Sequence, residues 1–134
     1  MSGKEEQAQE KYLEFQLLQK QLEQLQGHLE EVQTKIVEFH QTRDALHELQ
    51  GVKQDADCFV SVAQGIFARA RLQQPDELLI NVGAETAVVK TIPQVVELLN
   101  RQIAEVAQLH EQLESNMGKL SERINMLVEE IQQL

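Results

Sequence analysis

The sequence is poor in the residues that thick globular cores are built from. It has no tryptophan, one tyrosine and four phenylalanines, so aromatics make up 4% of its 134 residues. Aromatic side chains supply much of the area a large core buries. Their scarcity argues against such a core and for a narrow seam of Leu, Ile, Val and Ala. A single cysteine, Cys58, excludes an internal disulfide framework and fits a reducing compartment. Basic residues are also few, 12 against 22 acidic ones, for a net charge of -10. Affinity for phosphate backbones rests on Lys and Arg, so no nucleic-acid partner is expected. No apolar run approaches the roughly 18 residues of a membrane span, so no membrane partner is expected either. The opening "MSGKEEQAQE" has no apolar core of a signal peptide, which points to a cytoplasmic protein.

The vocabulary of catalysis is missing too. There is no glycine-rich phosphate loop, and "VGAET" alone is no nucleotide fingerprint. No Ser-His-Asp set or paired carboxylates fall in a plausible pocket. His28, His40 and His47 are scattered, and no third ligand completes a tight site with His40 and His47. Cys58 opens an apolar strand, where it reads as a small hydrophobe rather than a nucleophile. The expectation is a protein that is not an enzyme, with no cofactor and no metal.

What is present is periodicity. Phe15, Leu18, Leu22, Leu25, Leu29, Val32, Ile36 and Phe39 alternate at spacings of three and four, a heptad seam. It continues less cleanly to Leu46 and Leu49, with Arg43 where a seam residue falls due. Gly51 is a natural stop. A second seam runs through Val96, Leu99, Ile103, Val106, His110, Leu113, Met117, Leu120, Ile124, Leu127, Ile131 and Leu134. Pro93, just after Thr91, suits a first helical turn. Each helix is expected to span about 40–45 residues, roughly 60–65 Å. A one-sided stripe of that length needs a partner. Antiparallel pairing of the two puts Phe15 opposite Leu127 or Leu134, and the heptads leave both open. Either way the chain termini are expected at the far end of a two-helix arm. His110 on the seam reads as a polar residue that helps to fix register.

Between the helices the period changes to two. "CFVSVA" (58–63) and "IFARARL" (66–72) flank Gln64-Gly65, a glycine turn of hairpin type. "LLINV" (78–82) and "TAVVKTI" (86–92) flank "GAE" as a second hairpin. Arg69 and Arg71 share one face, as a barrel lining, as partners of acidic residues on a neighbour, or as a solvated surface. Two short hairpins are marginal alone, and open strand edges invite further pairing. The expected fold class is therefore α+β: a long antiparallel two-helix coiled coil with two central β-hairpins that build an oligomeric β-barrel platform. The expected division is a helix in 1–55, hairpins in 56–92 and a helix in 93–134. Assembly is expected to use Val60, Val62, Ile66, Phe67, Leu79, Ile80, Val82, Val88 and Val89.

This order of elements resembles the α-class subunits of prefoldin. "DELLINVGAETAVVKTIPQVVELLNRQI" (76–103) is similar to that family's second hairpin and the start of its last helix. "FVSVAQGIFARARL" (59–72) is similar to its first hairpin. Two departures stand out: Glu85, Thr86 and Ala87 replace a glycine and paired aromatics, and Ser61 stands where the family often has proline. The resemblance implies an ATP-independent holdase. Two α and four β subunits would share a double-barrel platform and hold unfolded clients at the arm tips for a group II chaperonin. Independently of the family, the apolar residues left over from the seams, Tyr12, Leu13, Leu17, Met126 and Val128, gather at the expected tip, and exposed apolar surface marks interaction sites. With the neighbouring seam residues Phe15, Leu127, Ile131 and Leu134 they form the expected client site. The other reading is a scaffold whose arms dock one defined partner. Gly27 and Gly118 fall off the two seams at nearby levels, and a soft level in the arm is expected there.

Overall fold

The computed structural model describes residues 2–134. Six elements follow one another: helix α1 (Ser2–Gln50), strands β1 (Ala56–Ala63), β2 (Ile66–Leu72), β3 (Glu77–Gly83) and β4 (Thr86–Thr91), and helix α2 (Ile92–Gln133). At 49 residues α1 exceeds the expected length. The seam begins only at Phe15, but the Lys, Glu and Gln before it are good helix formers and extend the helix. α1 ends as expected, with the Gly51 N–H donating to the Glu48 carbonyl at 3.1 Å.

The start of α2 is set by a reciprocal cap. The Thr91 N–H donates to Gln94 Oε1 at 3.0 Å, and the Gln94 N–H donates to Thr91 Oγ1 at 3.4 Å. This is a capping box, which satisfies helix-end donors that would otherwise have no partner. Ile92, expected at the end of a strand, is instead the first helical residue. Its side chain is buried and its N–H reaches the Asp76 carbonyl at 3.2 Å.

The chain divides into two compact units. In the first, α1 up to Val37 pairs antiparallel with Ala104–Leu134, burying Val32 and Leu127. Lys11 Nζ lies 3.4 Å from Glu130 Oε2, and Arg123 bonds Glu14. These pairs bring Phe15 level with Leu127 rather than with Leu134, which is exposed. The register that the heptads left open is thereby decided.

The second unit, Glu38–Ile103, holds the rest of both helices and the four strands, with Ile92 and Leu99 buried. Arg43, out of place in an apolar seam, makes a polar layer. Its guanidinium donates to Asn100 Oδ1 at 2.9 Å and lies 2.8 Å from His40 Nδ1. A cation at a seam position thus keeps hydrogen-bond partners on both helices and loses little of its hydration.

The strands form two separate antiparallel pairs, β1 with β2 and β3 with β4. In the first, Cys58 faces Ala70 and Val60 faces Ala68, while Phe59 faces Arg69 and Asp57 faces Arg71. Both arginines meet partners within their own hairpin. Arg71 Nε lies 3.3 Å from Asp57 Oδ1, and the Arg69 guanidinium sits 5.5 Å from the Phe59 ring centroid. Gly65 turns the chain with φ +77°, a conformation that glycine adopts without a Cβ clash. The second turn is less comfortable. Gly83 pairs with Thr86 as the end of β3, so the turn itself is Ala84-Glu85, at φ +49° and +59°. A two-residue turn with both φ values positive favours Asn-Gly, and neither Ala nor Glu suits it.

Candidate functional site

The candidate client site lies in the first unit, where residues 8–17 of α1 meet residues 123–134 of α2. α1 is helical here, so Tyr12, Leu13 and Leu17 cannot all point at one partner helix. The pair consumes Phe15 and Leu18, and the surplus turns outward. Tyr12 is 54%, Leu13 59%, Leu17 63% and Met126 53% exposed. Leu134 is exposed as well, while Phe15, Val128 and Ile131 are half-buried. Tyr12 stacks near Phe15, with ring centroids 6.4 Å apart.

Leu127, expected among the client contacts, is corrected by the structure. It is fully buried at 0% exposure and cannot touch a client while the helices stay paired. It lies on the seam and is the residue around which the pair closes. The open apolar surface belongs to its neighbours. Ala8, Gln9, Tyr12, Leu13 and Ile131 line a shallow groove of ≈ 470 Å³ that bridges the two helices. Ala8 and Gln9 escaped the sequence reading because one is small and the other polar. The signal that could have found Ala8 is the extension of the heptad one repeat before Phe15; Gln9 lies off that seam and carries no such signal.

Polar contacts surround this surface on one side. Arg123 Nε donates to Glu14 Oε1 at 3.1 Å and Nη2 to Oε2 at 3.3 Å, a two-pronged pair. Hydrogen bonding to Glu14 raises the Arg123 pKa above its ordinary value, with a smaller Coulombic part from Glu14 and Glu130 and a partly opposing desolvation.

The residues expected to drive assembly do not share one face. In the second hairpin Leu79 pairs with Val89 and both are exposed, whereas Ile80 pairs with Val88 on the opposite face and both are half-buried. In the first, Val60 and Ile66 lie with Ala68 on one face and Phe67 lies with Phe59 on the other. Val60, Val62, Ile66, Phe67 and Val82 are all exposed. Phe59 was not singled out from the sequence: the Gln64-Gly65 turn alone would set it opposite Ala70, and the register shift between Ser61 and Ala63 brings it opposite Arg69. Each hairpin therefore shows apolar side chains on both faces, beside strand edges with unpaired backbone groups.

The remaining candidates are dispersed. His110 is half-buried on the seam, its Nδ1 3.7 Å from Glu114 Oε1. His28 lines a cleft of ≈ 390 Å³ with Gln21, Gln24, Leu25, Asn116 and Leu120. Gly27 and Gly118 have nothing within 4 Å of the place a Cβ would take, and lie close in sequence to the lining of that cleft. Among the described residues no three His, Cys, Asp or Glu side chains gather as a metal site, and no helix is long and apolar enough to cross a membrane.

Comparison with known proteins places this architecture. The family model "Prefoldin subunit" matches residues 18–134, through both hairpins and most of both helices. A prefoldin subunit alpha of Methanosarcina acetivorans is 28% identical over 79 residues, 59% of this chain and 56% of that protein. One from Thermofilum pendens is 29% identical over 68 residues, 51% of this chain and 53% of that protein. The chain thus spans about half the length of the curated relatives it matches. A filamentous prefoldin of Methanocaldococcus jannaschii shares the fold at a TM-score of 0.76, with 16% identity, over 86% of this chain and 95% of that one. The prefoldin beta subunit of a Thermococcus strain does so at 0.63, with 21% identity, over 95% and 90%. Two long helices joined through two antiparallel hairpins, with the family model covering both, make this chain a member of the prefoldin family, as an alpha-class subunit.

Proposed function

We propose that this chain is the α subunit of an ATP-independent holdase. The hairpins join it to β-class subunits, two α with four β. Residues 8–17 and 126–134 hold non-native polypeptides, which are then passed to a group II chaperonin. The observation that carries the reading is the surplus of exposed apolar side chains, Tyr12, Leu13, Leu17 and Met126, at one level of the helix pair. Apolar surface of this kind has a cost in water and a use on a partner. Methionine adapts to irregular contacts, which suits clients without a common sequence. Exposed Leu79, Val89 and Phe67 on the hairpins support the assembly part of the reading in the same way.

The test uses the chain assembled with a β-class subunit and a chemically denatured, unrelated protein. Light scattering should show aggregation suppressed by the intact assembly. Removing residues 1–17 and 125–134, or changing Leu13 and Leu17 to Ser, should weaken the suppression while the assembly keeps its size. Undiminished suppression by both variants would exclude this surface as the grip. Leu79→Asp should instead reduce assembly with the β-class subunit, seen by size-exclusion chromatography with light scattering. If an assembly with intact tips suppresses no aggregation at all, the scaffold reading replaces the holdase.

A further inference from the structure

The two sides of the helix pair are unlike at the candidate client site. Glu14, Arg123 and Glu130 each come one residue before a seam position, so heptad geometry puts all three on the same flank. They are tied together there. Arg123 bonds Glu14, its Nη1 approaches Glu130 Oε1 at 3.9 Å, and Lys11 Nζ lies 3.4 Å from Glu130 Oε2. This flank mixes charge with apolar surface: Leu17 and Met126 also come one residue before seam positions and are exposed, so a segment lying on them passes beside four paired ionised groups.

Tyr12 and Val128 each come one residue after a seam position and lie on the opposite flank. The groove lined by Ala8, Gln9, Tyr12, Leu13 and Ile131 opens on that side. An apolar segment seated in this groove is covered from the Tyr12 side, away from the Glu14–Arg123 and Lys11–Glu130 pairs.

The charge left around the groove is mostly acidic. Lys11 and Arg123 are engaged by Glu130 and Glu14. Glu5 stands one heptad before Tyr12, on the same flank. Glu6, Glu10 and Glu129 are exposed and stand within two residues in sequence of groove-lining positions. Among the described residues 3–17 and 123–134, Lys4 is the one exposed cation to set against them.

We infer that the Tyr12 flank selects clients by charge as well as by hydrophobicity: it receives apolar segments flanked by Lys or Arg in preference to equally apolar segments flanked by Asp or Glu. Apolar burial supplies the affinity and does not distinguish the two. The acidic rim attracts one and repels the other, and like-charge contact is an effective way to reject a partner. The inference rests on the chaperone reading above and narrows it from any unfolded chain to a class of segments.

Three fluorescein-labelled peptides with one apolar core, flanked by Lys, by Ser or by Glu, test it by anisotropy against the full chain assembled with a β-class subunit. The Lys-flanked peptide should bind about tenfold more tightly than the Glu-flanked one at low ionic strength, a gap that closes as salt is raised. Changing Glu5, Glu6, Glu10 and Glu129 together to Gln should remove the preference and leave the Ser-flanked peptide unchanged. Tyr12→Ser with Leu13→Ser should weaken all three peptides. Equal affinity of the unmodified assembly for the three peptides overturns the charge selection and leaves the holdase standing. Absence of binding by all three, with aggregation suppression intact, overturns the placement in this groove. Absence of both overturns the chaperone reading itself.

Discussion

Leu127→Ala separates the residues that hold the helix pair together from those that face outward. Leu127 is fully buried at the level of Phe15. The substitution removes three carbons, each worth about 0.8 kcal/mol of transfer free energy, or about 2.4 kcal/mol together. Leu→Ala in enclosed cores costs about 2.7–5 kcal/mol because a cavity remains. Here Phe15, Val128 and Ile131 are only half-buried. Water and neighbouring side chains can fill the gap, so the cost should stay near the transfer value. A loss of about 2.5 kcal/mol corresponds to about 50- to 100-fold faster local opening. Hydrogen exchange on the assembled protein reads this at the amides of residues 120–133. Leu17→Ala is the control: 63% exposed, it should move the same amides less than about twofold, since surface changes stay within about 0.5 kcal/mol. The two should also differ in function, because Leu17 is placed on the client surface and Leu127 beneath it. If Leu127→Ala leaves exchange as slow as Leu17→Ala does, the seam assignment and the level pairing of Phe15 with Leu127 are both wrong.

Four further outcomes follow from the geometry. Replacing Ala84-Glu85 by Asn-Gly should raise the stability of the second hairpin by about 1–2 kcal/mol, read as slower exchange of β3 and β4, because both residues now hold left-handed φ values. Arg43→Leu should stabilise the second unit by about 1 kcal/mol in urea unfolding by extending the apolar seam; a destabilisation would mean that the Asn100 and His40 contacts matter more than burial. Thr91→Val should cost about 1 kcal/mol by removing the cap on α2, and Thr91→Ser should restore most of it in thermal unfolding. Gly27→Ala and Gly118→Ala should each slow exchange around the Leu25–Leu120 level by an amount equivalent to about 1 kcal/mol; equal protection on both sides of that level in the unmodified protein removes the soft-level idea.

Most of the architecture was legible in the chain because helix and strand periods are local properties. Heptads from Phe15 to Phe39 and from Val96 to Leu134 announced two helices that need partners. Two-residue alternation around Gln64-Gly65 and Gly83-Ala84-Glu85 announced the hairpins, and counting apolar residues left over from the seams located Tyr12, Leu13, Leu17 and Met126. The Thr91–Gln94 cap was not read from the sequence, which ran the strand on through Ile92, one residue into the helix.

What needed the folded structure was every choice between arrangements that local pattern leaves equivalent. A heptad shifted by seven residues repeats itself, so Phe15 could face Leu127 or Leu134 until Lys11–Glu130 and Glu14–Arg123 broke the tie. The same contacts set the ion pairs on one flank of the helix pair, and the packing sank Leu127 while leaving Met126 in water. Arg43 looked like an interruption of the seam until Asn100 appeared across from it. Composition and period state how much apolar surface a segment must hide. Only side chains brought together from distant parts of the chain decide which of that surface stays open and on which side.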